Sequence, residues 1–389
     1  MANKKNILAL TGGYAAAVAL RQIEPDVMPV YPITPQTPII ETFAKFKADG
    51  LVETEIIEVE SEHSAISACV GSSAAGARTV TATSSQGLAL MNEILYVASG
   101  MRLPILMLDA ARALGAPINI HGDHSDVMGA RDTGWPMLFS ENVQEAYDNT
   151  IIGMKLAEAV RLPVMVVMDG FYTSHTVENV EILEDAAVKK FVGDFEPKDS
   201  LLNLQDPLTF GPLALQNSFF EFKLDQEKAM QSVFGAYKKI VTDFEKISGR
   251  SSDFFEAYQA EDAEYILICM GSTAGTTKDV VDKMRADGKK VGLIKIKLFR
   301  PFPHQEIDLF LANAKRIAIL DRAMSIGTMP PLYSEIITSL VMTKNNDPEV
   351  ASYVYGLGGR DIFMTDVEKV FEDLIAGEMS KEIKYIGVK

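Results

Sequence analysis

Two short stretches near the start of the chain bring together residue types able to do chemistry. In Tyr31-Pro-Ile-Thr-Pro35, two prolines fix φ and disfavour helix before them, so the Thr34 hydroxyl is expected on a rigid turn after an apolar strand. Turns at the carboxyl ends of strands are where open α/β sheets hold ligands. In Glu60-Ser-Glu-His63, two carboxylates enter a helix. One of them suits the ordinary role of a helix N-terminal carboxylate, favoured by the dipole. The other is a candidate for acid–base work: a buried glutamate can share a proton with the ring nitrogen of a heterocycle when its pKa is tuned. The small residues behind it, among them Ala65, Ser67, Ala68, Gly71 and Ser72, permit close helix approach. That suits a subunit or cofactor interface as well as core packing.

Arg112 follows an apolar strand and is flanked only by small and apolar residues in Ala110-Ala-Arg-Ala-Leu-Gly115. Arginine is suited to bidentate carboxylate recognition; the plain alternative is a structural salt bridge, with Asp109 the nearest candidate. Ser84-Ser-Gln-Gly87 sits at a strand–turn–helix junction, where free backbone N–H groups can meet an anion or a polar ring. His121 and His124, with Asp123 and Asp126, have the residue types of a metal site but no third cluster of ligands, so no metal is expected there. Trp135, the only tryptophan, is expected to anchor a loop. No G-x-G-x-x-G, Walker A or G-x-S-x-G sequence is present, which disfavours a dinucleotide dehydrogenase, an NTPase and an α/β-hydrolase.

The elements that must position these residues alternate. Strands are expected at 28–31, 55–59, 79–83, 105–109 and 164–168, with helices at 37–48, 64–75, 87–99 and 143–159 between them, the pattern of a mostly parallel sheet. A strand, a glycine turn at Gly12-Gly13 and a helix over 14–22 open the chain. Lys4-Lys5 and the apolar run after them resemble a signal peptide only superficially, because glycines and then Arg21 and Glu24 interrupt the run. Residues 186–260 read as a connector containing a long polar helix at 225–246. Alternation resumes over 261–389, with strands at 265–270, 291–297, 316–321 and 352–355 and helices at 276–287, 303–313, 332–342 and from 365. The domains are therefore expected at 1–185 and 261–389, joined by the connector.

Composition narrows the function classes. The chain of 389 residues carries a formal charge of −16, which argues against nonspecific nucleic-acid binding, since that needs a basic surface. No run approaches the ~20 apolar residues of a membrane span. The two cysteines, Cys69 and Cys269, are too few for a disulfide scaffold or a four-cysteine cluster, and buried thiols in a reducing cytoplasm are expected.

Taken in order, Tyr31-Pro-Ile-Thr-Pro35, Glu60-Ser-Glu-His63, Thr83-Ser-Ser-Gln-Gly87, Ala111-Arg-Ala113, Gly122-Asp-His124 and Asp169-Gly-Phe171 resemble the α subunits of the 2-oxoacid:ferredoxin oxidoreductases. Met270-Gly-Ser272, Phe299-Arg-Pro-Phe-Pro303, Asp321-Arg322 and Gly356-Leu-Gly-Gly-Arg360 extend the resemblance over nearly the whole chain. It implies an α/β fold with a pyrimidine-type thiamine diphosphate-binding parallel-sheet domain and a transketolase C-terminal-like domain. It also implies a thiamine diphosphate site shared with a β subunit that supplies the Mg²⁺, and [4Fe–4S] clusters in partner subunits, including ferredoxin-like γ and δ subunits. Pyruvate, CoA and ferredoxin are the implied reactants, with 2-oxoisovalerate or another 2-oxoacid as the alternative and a non-catalytic scaffold as the reading from another class.

By the same resemblance Glu62 matches the glutamate that bonds N1′ of the aminopyrimidine, Arg112 the arginine that holds the substrate carboxylate, and Thr34 the threonine beside it. Pro32, Ile33, Ser85 and Gln86 match positions along the cofactor. Relatives acting on oxalate need further positive charge, so a threonine at position 34 favours a monocarboxylate.

Overall fold

The alternating apolar runs form two parallel sheets in a computed structural model, which describes residues 6–343 and 348–389; Lys4 and Lys5 lie outside them. In the first half β1 (Asn6–Thr11), α1 (Gly12–Ile23), β2 (Val27–Val30), α2 (Thr37–Ala48), β3 (Glu55–Glu58), α3 (Glu62–Ala74), β4 (Thr79–Thr83), α4 (Gln86–Gly100) and β5 (Ile105–Ala111) come first. They are followed by α5 (Ser125–Gly129), β6 (Met137–Ser140), α6 (Val143–Val160), β7 (Val164–Asp169) and β8 (Val177–Ile182). Between the halves run α7 (Asp185–Val192), α8 (Phe219–Ser248) and β9 (Phe255–Tyr258). The second half comprises β10 (Tyr265–Met270), α9 (Thr273–Ala286), β11 (Val291–Ile296), β12 (Leu298–Arg300), α10 (His304–Leu311) and β13 (Arg316–Asp321). It ends with α11 (Pro331–Thr343), β14 (Glu349–Val354), α12 (Met364–Ala376) and β15 (Lys384–Tyr385). Among the described residues no helix is long and apolar enough to cross a membrane.

The first sheet has the order β12-β6-β7-β5-β4-β2-β3, and only β12 is antiparallel to its neighbour. Strand alternation sorts its side chains. Val80, Ala82, Leu106, Leu108 and Ala110 meet the apolar faces of α1, α2, α6 and α8, whereas Ile105, Met107 and Ala111 meet α3, α4 and the second half of the chain. The second sheet, β15-β14-β13-β10-β11-β9, turns Ile266, Ile268, Ile294 and Ile319 toward that shared core and Leu267, Leu293 and Leu320 toward α9 and α12. The three expected segments are thus tied together across 185 and 260.

The segment read as a connector is more integrated than its polarity suggests. One stripe of α8 buries Val233, Tyr237, Ile240, Val241 and Phe244 against α6 and its surroundings, each contributing about 1.5–3 kcal/mol on burial. The segment ends in β9, which pairs antiparallel with β11. Gly12 and Gly13 are not a turn: they open α1 behind the Thr11 cap, and their N–H groups donate to the carbonyls of Thr173 and Ser174. β1 pairs with β8, 166 residues later at its closest register (Thr11 with Val177), a pairing that no local pattern announces.

The seam between the halves is built on Asp169, which ends β7. Its buried carboxylate accepts from Arg322 Nη1 at 2.7 Å, from Ser272 N–H at 2.9 Å and from the Ser272 hydroxyl at 2.6 Å, and lies 2.7 Å from His124 Nε2. Burial alone would raise its pKa; the His124 and Arg322 rings of charge instead hold it well below the usual carboxylate range. Nearby, the three carboxylates of Glu141, Glu145 and Glu256 surround Lys295, which is 1% exposed, with Lys278 and Lys297 alongside. These ammonium groups occupy the space between carboxylates that otherwise have the arrangement of a cation site.

Replacing Asp169 by alanine leaves Arg322 buried without its counter-ion, so a loss of about 3–5 kcal/mol is expected in denaturant unfolding of the chain. Because the folded-state pKa lies below the unfolded one, the Asp169 contribution is complete above about pH 4 and fades as the pH falls below it. The gap in stability between wild type and D169A should narrow over that acidic range.

Candidate active site

The carboxyl ends of β2, β3, β4 and β5 lie side by side, and each delivers one part of the site. After β2 the chain turns through 31–36, closed by Gln36 N–H to the Ile33 carbonyl at 3.0 Å and Gln36 Nε2 to the Tyr31 carbonyl at 2.9 Å. Thr34 and Pro32 are exposed and Ile33 is half-buried. After β3, Ser61 caps α3 by accepting from Ser64 N–H, and Glu62 is the first residue of the helix. After β4 comes Ser85, and after β5 comes Arg112.

The two glutamates, which are alike in sequence, separate in the fold. Glu60 is exposed and accepts the Ser64 hydroxyl at 2.6 Å, which lowers its pKa; it fills the ordinary role at a helix start. Glu62 is 7% exposed, and its carboxylate makes no hydrogen bond among the described residues. It packs on Gly87 so closely that a Cβ there would lie 2.7 Å from Glu62 Oε1 and 2.6 Å from Thr83 Oγ1. The Thr83 hydroxyl is itself buried with no hydrogen-bond partner among the described residues. An acceptor and a hydroxyl, neither with a hydrogen-bond partner among the described residues, thus both pack against Gly87, whose missing side chain leaves them room.

Arg112 is 6% exposed and does not pair with Asp109, the structural alternative raised by the sequence. Its Nη1 donates to the Thr34 carbonyl at 2.8 Å and its Nε to the Asn119 carbonyl at 2.9 Å. Two neutral acceptors fix the guanidinium plane without neutralising it, and neither uses Nη2. Burial lowers its pKa, and the nearby Asp126 charge opposes that, so the group stays a cation. The bond to Thr34 also joins the two candidate substrate residues through one contact. The Thr34 turn is backed by Gly170: a Cβ there would lie 2.9 Å from Pro35 Cγ and 2.5 Å from the Ala111 carbonyl oxygen.

Ser85 is buried and has φ of +53°, a region uncommon for a side-chain-bearing residue. Its hydroxyl contacts the Ala113 carbonyl and Gln86 Oε1. Gln86 is exposed at the start of α4, close beside Gly115. The His/Asp stretch holds structure together instead of gathering around one point. His124 bonds Asp169, Asp123 accepts the Gly358 N–H at 2.9 Å, and His121 packs against Phe171. Asp126 bonds three backbone N–H groups. Trp135 is buried, with its Nε1 donating to the Leu95 carbonyl at 3.0 Å. Cys69 and Cys269 are buried free thiols, and burial pushes Cys269 up to about 12.

Sequence reasoning gave Thr83 and Asp126 no role beside Glu62 and Arg112, and raised Asp109 only as a salt-bridge partner that Arg112 does not take up. Asp109 carries a readable signal, as the one charged residue in the apolar strand β5, whereas Thr83 is one of three threonines in β4 and has none of its own.

This architecture is that of the 2-oxoacid:ferredoxin oxidoreductases. A structure of 2-oxoglutarate:ferredoxin oxidoreductase from Magnetococcus marinus superposes with a TM-score of 0.72 at 20% identity, covering 95% of this chain and 66% of that one. The family model for pyruvate flavodoxin/ferredoxin oxidoreductase, thiamine diP-binding, matches residues 18–241, and that for pyruvate:ferredoxin oxidoreductase core domain II matches residues 263–367. The chain belongs to the pyruvate flavodoxin/ferredoxin oxidoreductase family. Pyruvate synthase subunit PorA of Thermotoga maritima is 52% identical over 98% of both chains, and that of Methanocaldococcus jannaschii 42% identical over 98% of both. Ketoisovalerate oxidoreductase subunit VorA of Pyrococcus abyssi is 40% identical over 98% of this chain and 97% of its own.

The packing at Gly87 yields a direct test. Gly87→Ala puts a methyl group into the Glu62 carboxylate and should destabilise the chain by about 1–3 kcal/mol. If Glu62 is the acid–base group expected from the sequence, turnover by the assembled enzyme should fall on the order of 100-fold, since an ångström-scale displacement of such a group costs that much. Thermal melting and steady-state rates of the same preparation check both.

Proposed function

We propose that this chain is the α subunit of a pyruvate:ferredoxin oxidoreductase, which with its partner subunits converts pyruvate and CoA reversibly to acetyl-CoA and CO₂ and passes the electrons to ferredoxin. The observation that carries this reading is the buried Glu62 carboxylate, which has no protein hydrogen-bond partner among the described residues and stands at the same strand edge as a guanidinium already held by two carbonyls. Pyruvate as substrate is supported by the pyruvate synthase relatives at 42–52% identity.

Glu62 and the orphaned Thr83 hydroxyl suit a flat heterocycle with ring nitrogens, the aminopyrimidine of thiamine diphosphate, bordered by Pro32, Ile33, Ser85 and Gln86. The diphosphate and its Mg²⁺ belong to a β subunit, and the [4Fe–4S] clusters to partner subunits, among them ferredoxin-like γ and δ subunits. When bound, thiamine diphosphate supplies a carbon nucleophile and an electron sink for decarboxylation.

The residues of this chain do the rest of what falls to it. Glu62 shares a proton with ring nitrogen N1′, and burial beside Gly87 keeps water from competing for that bond. Arg112 donates to the substrate carboxylate with the guanidinium edge that the Thr34 and Asn119 carbonyls leave over. The Thr34 hydroxyl bonds the substrate near its carboxylate and carbonyl. Arg112 and Thr34 transfer no proton; they orient the 2-oxoacid and stabilise its charge. The two buried free thiols fit a reducing cytoplasm.

A branched 2-oxoacid is the second reading, supported by the ketoisovalerate oxidoreductase relative at 40% identity. One set of assays on the assembled complex tests both. Glu62→Gln should lower pyruvate turnover by at least about 100-fold with the subunits still assembled, in line with loss of general acid–base catalysis. Unchanged turnover in Glu62→Gln would support a scaffold. On the wild-type complex, pyruvate should be turned over faster than 2-oxoisovalerate; the reverse order would reassign the substrate.

A further inference from the structure

The buried groups beside Arg112 include two carboxylates that the proposed chemistry does not use, Asp109 and Asp126. We infer that Asp126 is a positioning residue for 2-oxoacid binding: a single carboxylate oxygen ties the Ser85 turn to Arg112 and so sets the guanidinium against the cofactor edge. The inference rests on the reading of Arg112 as the carboxylate-binding residue.

The geometry is specific. Asp126 Oδ2 accepts the Ser85 N–H at 2.6 Å and the Arg112 N–H at 2.9 Å, while Oδ1 accepts the Val127 N–H at 2.8 Å. Ser85 closes the end of β4 and Arg112 the end of β5, so the shared oxygen bridges two loops from adjacent strands. One of these loops leads within two residues to Gly87, against which Glu62 packs. The other carries the guanidinium. Ser85 is held at its positive φ by this bond and by its own hydroxyl against the Ala113 carbonyl, one residue past Arg112. Without the carboxylate, two buried N–H groups lose their acceptor, and the backbone of Ser85 loses what holds it in a costly conformation.

The charges around Asp126 agree with this role. Asp109, on β5, is fully buried, and neither of its oxygens has a hydrogen-bond partner among the described residues. Burial, and then the charge of Asp126, raise the Asp109 carboxyl well above its usual value. Burial raises Asp126 as well, and the charge of Asp123 adds to that, but the N–H bonds from Arg112, Ser85 and Val127 oppose both. Of the two, Asp126 has N–H donors on both oxygens and Asp109 has none among the described residues, so Asp126 is the better placed to carry negative charge. Negative charge on Asp126 opposes the lowering of the Arg112 pKa by burial. Asp126 does not neutralise the guanidinium by contact, since Nη1 and Nε go to carbonyls.

The test is steady-state kinetics of the assembled complex with pyruvate and CoA, using Asp126→Ala, Arg112→Ala and the double variant. Asp126→Ala should raise the KM for pyruvate about tenfold while leaving the KM for CoA unchanged, and should add nothing further in the Arg112→Ala background. A merely structural role would raise both KM values or add its full effect to that of Arg112→Ala, and either result overturns the inference. If Asp126→Ala does not assemble, Asp126→Asn keeps the volume and one acceptor oxygen. It should raise the pyruvate KM about threefold with the same lack of additivity, and an unchanged KM overturns the inference. A rise with Arg112→Ala but none with the Asp126 variants refutes the positioning role alone. No rise with Arg112→Ala refutes the carboxylate reading and the positioning role together.

Discussion

The buried carboxylate of Asp169 is the interaction from which the rest of the arrangement follows. It ends the central strand β7 and collects Arg322 and Ser272 from the second half of the chain together with His124 from the first. His124 and Arg322 are buried and Ser272 half-buried, and the same anion serves all of them. The His124 backbone N–H donates in turn to the Arg322 carbonyl at 2.9 Å, so the stretch from 121 to 126 is gripped by both side chain and backbone. Asp126 belongs to that stretch and reaches the ends of β4 and β5. The second half of the chain contributes no candidate catalytic residue, yet it holds the loop that holds the site.

The same economy of buried charge separates structural from chemical groups. Around Lys295 every carboxylate has an ammonium partner, which stabilises the seam and leaves nothing unsatisfied for a ligand. At the strand edge the pattern inverts. Glu62 and Thr83 are buried without hydrogen-bond partners among the described residues, and Arg112 is fixed by neutral carbonyls, so its charge is retained. Groups left unsatisfied in a folded chain cost free energy, and a fold keeps them where a bound molecule completes them. Two glycines make that possible by omission: Gly87 gives Glu62 its place, and Gly170 lets β7 back the Thr34 turn.

Local pattern was enough for most of the framework. Apolar runs marked the strands at 105–109 and 164–168, and the helix at 37–48 begins and ends where the prolines and the Asp49-Gly50 pair place it. The misses have one physical origin. β6, β9 and β12 are short and β8 is polar on its exposed face, and their residues become strand because a partner edge is available: β8 pairs with β1, β12 with β6 and β9 with β11, none adjacent in sequence. The α8 stripe was hidden because its exposed faces dominate its composition, while a single line of residues carries the burial.

The residue types of the site were likewise readable, because rigidity at Pro32 and Pro35, a glutamate at a helix start and an arginine among small residues are properties of the chain itself. Which of Glu60 and Glu62 faces inward was not. They differ by two positions, and the choice rests on the packing of α3 against Gly87 and Thr83, which come from another strand and helix. Nor did the sequence show that Arg112 would bypass Asp109 for two carbonyls, or that Asp126 would bridge two loops. Covalent and steric limits act between neighbours and can be read along the chain. Burial, the supply of hydrogen-bond partners and the sharing of protons act between residues that only folding brings together, and these alone decide which carboxylate meets solvent, which bridges two loops and which is buried without a partner among the described residues.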